Sequence, residues 1–114
     1  MEYDLEDRTK VFSKDVIKVM QKIIRNDINR SLITQLIRSS TSVGANYQEA
    51  NGAMSRKDFK YKIYICRKEI KETEYWIELI ANSGVKEKDS LRKLWKEAHE
   101  LKLIFNKICS SLNK

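Results

Sequence analysis

Residue types that could carry out chemistry are few in this chain and stand apart from one another. The only histidine, His99, has no second histidine or cysteine at the spacing of a metal site. The two cysteines, Cys66 and Cys109, form no CxxC pair, and there is no phosphate-binding glycine loop, nucleophile elbow or HExxH motif. We therefore expect no catalytic residue, no metal and no cofactor, and a protein that binds rather than catalyses.

The strongest candidate for a binding surface is a basic and aromatic row at steps of three or four residues. Its members are Lys57, Lys60, Tyr61, Tyr64, Lys68 and Lys71. At about 100° per residue, the row lies roughly 160° from the apolar seam of the same predicted helix and should face outward. Lysines neutralise phosphates and tyrosines stack on bases, a combination suited to single-stranded or looped RNA.

The full set of predicted contacts with RNA or DNA adds cations next to this row and at the end of the last helix. It consists of Arg56, Lys57, Lys60, Tyr61, Tyr64, Lys68, Lys71, Lys102 and Lys107. Charge is polarised along this helix, because residues 55–68 hold six basic side chains and one acid, whereas residues 69–84 hold one lysine and four acids. Two alternatives stay open: the lysines only keep the surface soluble, or the row engages a partner protein.

A second polar row lies on the preceding helix, where Arg38, Ser42, Asn46 and Glu49 are spaced four, four and three residues apart. This spacing places them on one helix face, beside a run of small residues that would allow a close helix crossing. We interpret the row as a structural network of paired polar groups rather than a ligand site. A contact between subunits is one way to pair them.

The elements that position these residues follow from the composition. The chain has 114 residues, of which 34% are charged and 41% hydrophobic, with three glycines and no proline. This predicts one all-α domain over residues 1–114, because a many-stranded sheet needs more turn residues. The net charge of +7 favours polyanionic partners without selecting any sequence in them.

Helical periodicity predicts four helices, at about residues 5–25, 30–51, 56–82 and 87–112. Asp4 and Ser55 are suitable N-caps, and Gly84 is placed to end the third helix in the left-handed conformation. Cys66 lies on the apolar seam of the third helix, which predicts an inert buried thiol. That seam is Phe59, Ile63, Cys66, Ile70, Thr73, Ile77 and Ile80, and the seam of the fourth helix is Leu91, Leu94, Ala98, Leu101, Phe105, Ile108 and Leu112. Short connections favour antiparallel neighbours, hence an up-down-up-down bundle.

The last two helices carry more apolar residues than one seam requires. The additional residues are Ile65, Trp76, Leu79, Trp95, Leu103, Ile104 and Cys109. Contiguous exposed apolar surface usually marks a contact site, so we expect a homo-oligomer. The alternative is a wide stripe that serves a single core.

No targeting or membrane segment is predicted. The first seven residues are acidic where a signal peptide is basic, and no stretch approaches the roughly 20 apolar residues of a membrane span. We expect a cytoplasmic protein.

Three segments resemble a known family: Gln35–Ala50 with its run of small residues, Ser55–Phe59, and Glu69–Trp76. Together they are similar to the four-helix bundle proteins of 23S ribosomal RNA intervening sequences. The resemblance implies an antiparallel four-helix protomer without catalytic residues, and pentamers in the form of rings or barrels with a central channel. It also links the chain to the accessory variability protein of diversity-generating retroelements, which implies reverse transcriptase and nucleic acid as partners. The family name records where such genes can lie and assigns no action on ribosomal RNA.

Overall fold

A computed structural model describes residues 4–113 and contains four α-helices in this part of the chain. They are α1 (Leu5–Lys22), α2 (Asn29–Asn51), α3 (Arg56–Ala81) and α4 (Lys88–Leu112). Each helix packs against its neighbour in sequence, and α4 packs against α1, whereas the diagonal pairs α1 and α3, and α2 and α4, lie further apart. Across one diagonal, the Tyr47 ring of α2 meets the Phe105 ring of α4 edge to face, with centroids 5.9 Å apart. The predicted antiparallel four-helix bundle is confirmed.

Side-chain caps begin α1 and α3 where the sequence places them. The Asp4 carboxylate accepts from the backbone N–H of Glu6, and the Ser55 hydroxyl accepts from that of Asp58. Gly84 has φ of +86°, the left-handed conformation that favours glycine, in the turn after α3. The predicted caps and this turn are confirmed.

The first helix is shorter than the expected span to about residue 25. It ends at Lys22 because Ile23 adopts an extended backbone, with ψ of 130°, and turns its side chain into the core. Two asparagines then form the turn: Asn26 accepts from the backbone N–H of Asn29, and Asn29 accepts from that of Asn26. The Asn29 side chain is fully buried, so this turn is fixed from inside the bundle.

The core follows the predicted seams until the last turns of α4. Leu91, Leu94, Ala98, Leu101 and Phe105 are buried as expected. Beyond them the buried residue is Cys109, while Ile108 is only half-buried. A straight helix drifts by about 20° per heptad relative to a strict seven-residue repeat, which moves the core position from 108 to 109. The assignment of Cys109 to surplus outer surface was therefore wrong.

The seam of α3 is confirmed, including Cys66. Its thiol is buried and donates to the Val43 carbonyl at 3.5 Å. Burial raises the pKa of Cys66 to about 12, so the thiol stays protonated at neutral pH and is a poor nucleophile.

Small residues allow α2 to approach both neighbouring helices. Ser39 and Ser40 are fully buried; the Thr73 hydroxyl of α3 donates to the Ser39 hydroxyl at 2.9 Å, and the Ser13 hydroxyl of α1 donates to the Ser40 carbonyl at 3.2 Å. One turn further, a Cβ atom at Gly44 would lie 3.4 Å from the Thr9 hydroxyl of α1. The run of weak helix formers is thus explained by close packing on two sides.

The pair α1 and α4 makes the least extensive of the four helix contacts. It is held by Arg8, whose guanidinium donates to both oxygens of Glu97, at 2.7 and 2.8 Å, and to Glu100 at 3.1 Å. Hydrogen bonding to Glu97 is the main cause of a raised pKa for Arg8.

Enlarging Gly44 tests this close approach. We expect Gly44→Ala to be tolerated, with a gain of up to about 1 kcal/mol from helix propensity, because a methyl group fits at that distance. Gly44→Leu should destabilise the fold by about 1–3 kcal/mol, because the longer side chain meets α1. Urea unfolding of the three proteins measures both effects, and a Leu variant as stable as the Ala variant would contradict the packing described.

Candidate nucleic-acid interface

The outer surface of α3 carries the predicted basic and aromatic row. Lys57, Tyr61, Lys68 and Lys71 are exposed, with 61% of Tyr61 accessible, while Lys60 is half-buried. Arg56, at the start of the same helix, is also exposed. We call this surface the α3 basic face, consisting of Arg56, Lys57, Lys60, Tyr61, Lys68 and Lys71.

The cations of the α3 basic face have no carboxylate within ion-pair distance among residues 4–113. Lys62 directly follows Tyr61 in the sequence but points toward α2, where it pairs with Glu49 at 2.7 Å. That hydrogen bond is the main cause of the raised pKa of Lys62. Within the described part of the chain, the positive charge on the outer surface of α3 is thus not paired with a carboxylate, except at Lys62.

Tyr64 has a different environment from Tyr61. Its hydroxyl donates to the Asn113 side chain at the end of α4, at 2.7 Å. Two cations approach its ring, with Lys60 Nζ at 5.8 Å and the Arg67 guanidinium at 5.3 Å from the ring centroid. The ring is therefore engaged within the protein, and Tyr61 is the more accessible aromatic ring for stacking.

Arg67 is a basic residue of this region that the sequence argument did not single out. Its spacing of three residues from Tyr64 was the available signal, since side chains three apart on a helix are neighbours.

Lys102 is placed next to the acidic half of α3. It pairs with Glu74 at 2.9 Å, and Glu74 also contacts His99 Nδ1 at 3.0 Å. The His99 ring stacks on Trp95 with centroids 4.9 Å apart, and the Trp95 indole N–H donates to Glu78 at 3.0 Å. These contacts join α3 to α4, so the structure separates Lys102 from the α3 basic face.

Lys107 is exposed on α4 and lines a cleft together with Arg56 at the end of the bundle. Of the nine predicted contacts, the structure therefore brings six together on the α3 basic face. It places Lys107 across a cleft from them and engages Tyr64 and Lys102 within the protomer.

The polar row of α2 contacts α3 of the same chain. Arg38 donates to Glu69 and to Glu72, both at 2.9 Å, and Glu49 binds Lys62. Between these ion pairs, the Asn46 amide donates to the Ser42 carbonyl and hydroxyl, at 2.8 and 3.0 Å. This arrangement supports a structural network, and the pairs that it forms do not require another subunit.

Glu69 is the least exposed member of this network, at 5%. One carboxylate oxygen accepts from Arg38, while the other is buried and has no hydrogen-bond partner within the described residues. A buried carboxylate is costly unless it is paired, so the Glu69 carboxylate depends strongly on Arg38 for its stabilisation.

Residues 4–113 form neither a membrane-spanning helix nor a cluster of metal ligands. None of their helices combines the length and the apolar character that crossing a bilayer requires. Nor do their histidine, cysteine and carboxylate side chains come together in threes as a metal site would need.

Comparisons with known proteins agree with this architecture. A family model described as 23S rRNA-intervening sequence protein matches residues 2–107. A crystal structure from Bacteroides thetaiotaomicron VPI-5482, described as a protein with unknown function from the S23 ribosomal protein family, is 29% identical and superimposes with a TM-score of 0.78. That match covers 91% of this chain and 96% of the other. No curated protein matches the chain in sequence.

Removing Arg38 tests the network. We expect Arg38→Met to destabilise the fold by about 2 kcal/mol, less than for a fully buried pair because Arg38 is itself half-exposed. The matched control is Arg92→Met, which breaks an exposed pair with Asp89 and should cost less than about 1 kcal/mol. Equal losses in denaturant unfolding would contradict the role assigned to Glu69 and Arg38.

Proposed function

This chain belongs to the 23S rRNA-intervening sequence protein family, and we propose that it acts as a non-catalytic, homo-oligomeric adaptor that binds RNA or DNA through the α3 basic face. The observation that carries this proposal is the set of cations on that face without carboxylate partners among residues 4–113. Acids elsewhere on α3 are engaged by Arg38 and Lys102. A polyanion would supply the charge that the bundle does not.

The geometry of the face suits an extended strand. From Lys57 to Lys71 the helix rises about 21 Å, so the lysines can follow successive phosphates along one edge. Tyr61 offers an exposed ring on which a base can stack. Such contacts read the backbone and the flat faces of the bases, so binding should depend strongly on salt and weakly on sequence.

Apolar side chains outside the core support self-association. Tyr75 and Leu103 are 55% and 53% exposed, and Val11 on α1 is 54% exposed. Ile65, Trp76, Leu79, Trp95 and Ile104 are half-buried rather than enclosed. We favour a pentamer, which would present several α3 basic faces to one nucleic acid and strengthen binding through multivalency.

A protein-protein adaptor is the second candidate function, with a reverse transcriptase as the partner implied by the family resemblance. The exposed ring of Tyr75 favours it, because it meets Trp76 edge to face at 5.1 Å on the half of α3 away from the basic residues. Aromatic residues of this kind are enriched at protein interfaces.

Charge reversal on the face tests nucleic-acid binding. Filter binding of a single-stranded oligonucleotide gives the slope of log affinity against log salt concentration. In the triple variant Lys57→Glu, Lys68→Glu, Lys71→Glu, the magnitude of this negative slope should decrease by about 2, since each lost phosphate contact removes about 0.7. The control, Lys14→Glu, Lys18→Glu, Lys96→Glu, makes the same charge change at exposed positions elsewhere. A slope near zero in the unmodified protein, or equal losses in both triple variants, would overturn the proposal.

Sedimentation equilibrium tests the assembly. We expect a species of about five times the 13.5 kDa chain mass. Leu103→Lys should shift the distribution toward smaller species, because it places a charge in an apolar contact. A single species of one chain mass at the concentrations used for binding would contradict the oligomer.

A further inference from the structure

A cleft opens at the end of the bundle where α3 begins and α4 finishes. It is open to solvent and has a volume of about 470 Å³, within the size range of small-molecule sites. We call it the end cleft, and its lining residues are Arg56, Ile104, Lys107, Ile108, Ser111 and Leu112.

The lining divides into a cationic rim and an apolar floor. Arg56 and Lys107 are exposed, and neither has an ion-pair partner within residues 4–113. Ile104, Ile108 and Leu112 are half-buried, and Ser111 adds one exposed hydroxyl. Among residues 4–113, no carboxylate belongs to the lining. The cleft thus suits an anion attached to a flat, weakly polar body.

A terminal nucleotide has this chemistry. A phosphate monoester carries close to two negative charges at neutral pH, whereas an internal diester carries one, so two cations favour the strand end. Arginine can hold a phosphate through two parallel hydrogen bonds, and lysine adds a point charge. A base can cover the isoleucine floor and remove it from water.

The position of the cleft relates it to the α3 basic face. Arg56 directly precedes Lys57 in the first turn of α3, so it belongs both to the α3 basic face and to the cleft rim. A strand that follows the lysines toward the start of α3 therefore reaches the cleft.

We propose that the end cleft binds the terminal nucleotide of the strand, with its phosphate between Arg56 and Lys107 and its base over Ile104 and Ile108. This inference rests on the proposed function, and it assigns Ile104 to ligand rather than to a subunit contact. The strand end is then held more tightly than its interior, and a terminal phosphate increases affinity.

Mononucleotides test the cleft without the rest of the strand. Calorimetric titration with 5′-AMP, 3′-AMP, adenosine and inorganic phosphate should give binding of at least one AMP about tenfold tighter than that of adenosine or phosphate. The preferred AMP identifies which end of a strand is bound. In methyl NMR spectra, the same ligand should shift the signals of Ile104 and Ile108.

Two variants locate the effect. Lys107→Glu should weaken AMP binding by about tenfold or more, since it reverses one of the two charges. Lys96→Glu makes the same change at an exposed position of α4 outside the cleft and should leave AMP binding unchanged. Equal effects of the two variants, or AMP binding no better than that of phosphate, would overturn the proposal.

Oligonucleotides with and without a terminal phosphate separate this proposal from the proposed function. If both strands bind equally and AMP does not bind, the end cleft proposal fails and the α3 basic face stands. If neither strand binds, the proposed function fails and the terminal-nucleotide assignment fails with it. A preference for the phosphorylated strand that disappears in Lys107→Glu supports both.

Discussion

The close approach of α2 to its two neighbours is the constraint on which the rest of the structure depends. Ser39 and Ser40 are fully buried at the contacts with α3 and α1, and Gly44 leaves no room for a long side chain against Thr9. Serine and glycine are weak helix formers, and the tertiary contacts that they allow compensate for this loss of helix stability. The close packing also brings the edge of α2 within reach of α3, so that Arg38 and Glu49 can bridge the two helices.

Those ion pairs determine which charged side chains of α3 remain without a partner among the described residues. Three acids of α3 are engaged by basic residues of other helices: Glu69 and Glu72 by Arg38, and Glu74 by Lys102. The basic half of α3 has no comparable partners among the described residues, except at Lys62. The excess of +7 is therefore not spread evenly, and a substantial part of it lies along one outer helix surface. Charge that is concentrated in this way attracts polyanions more strongly than the same charge dispersed.

Much of the fold could be predicted because helical periodicity and capping are local properties of the sequence. The seam of α3 and the caps at Asp4 and Ser55 need only neighbouring residues to be recognised. The end of α1 could not be predicted, because Ile23 leaves the helix to fill a core formed by distant residues. That Cys109 rather than Ile108 is the last buried residue of α4 was missed for a similar reason, because the drift of a straight helix accumulates over several turns.

The candidate site was predictable to a lesser extent. Spacing identified the face of α3 that carries Lys57, Lys68 and Lys71, since it depends on one helix alone. Spacing could not show that Tyr64 hydrogen-bonds Asn113 or that Lys102 pairs with Glu74. Those contacts depend on how α3 and α4 are aligned along their axes. Which side chains of a helix remain available is decided by the helix beside it.

The connectivity of the bundle has a consequence for how it opens. Three of the four contacts between adjacent helices join helices that a short turn links, whereas α1 and α4, which also contact each other, are the first and last helices of the sequence. That seam relies on Arg8, and its opposite end is the asparagine turn at Asn26–Asn29. Thermal opening should accordingly begin where α1 meets α4, while the buried asparagine turn and the close packing at Gly44 keep α1 on α2. The amide hydrogens of α2 and α3 should then exchange more slowly than those of α1 and α4.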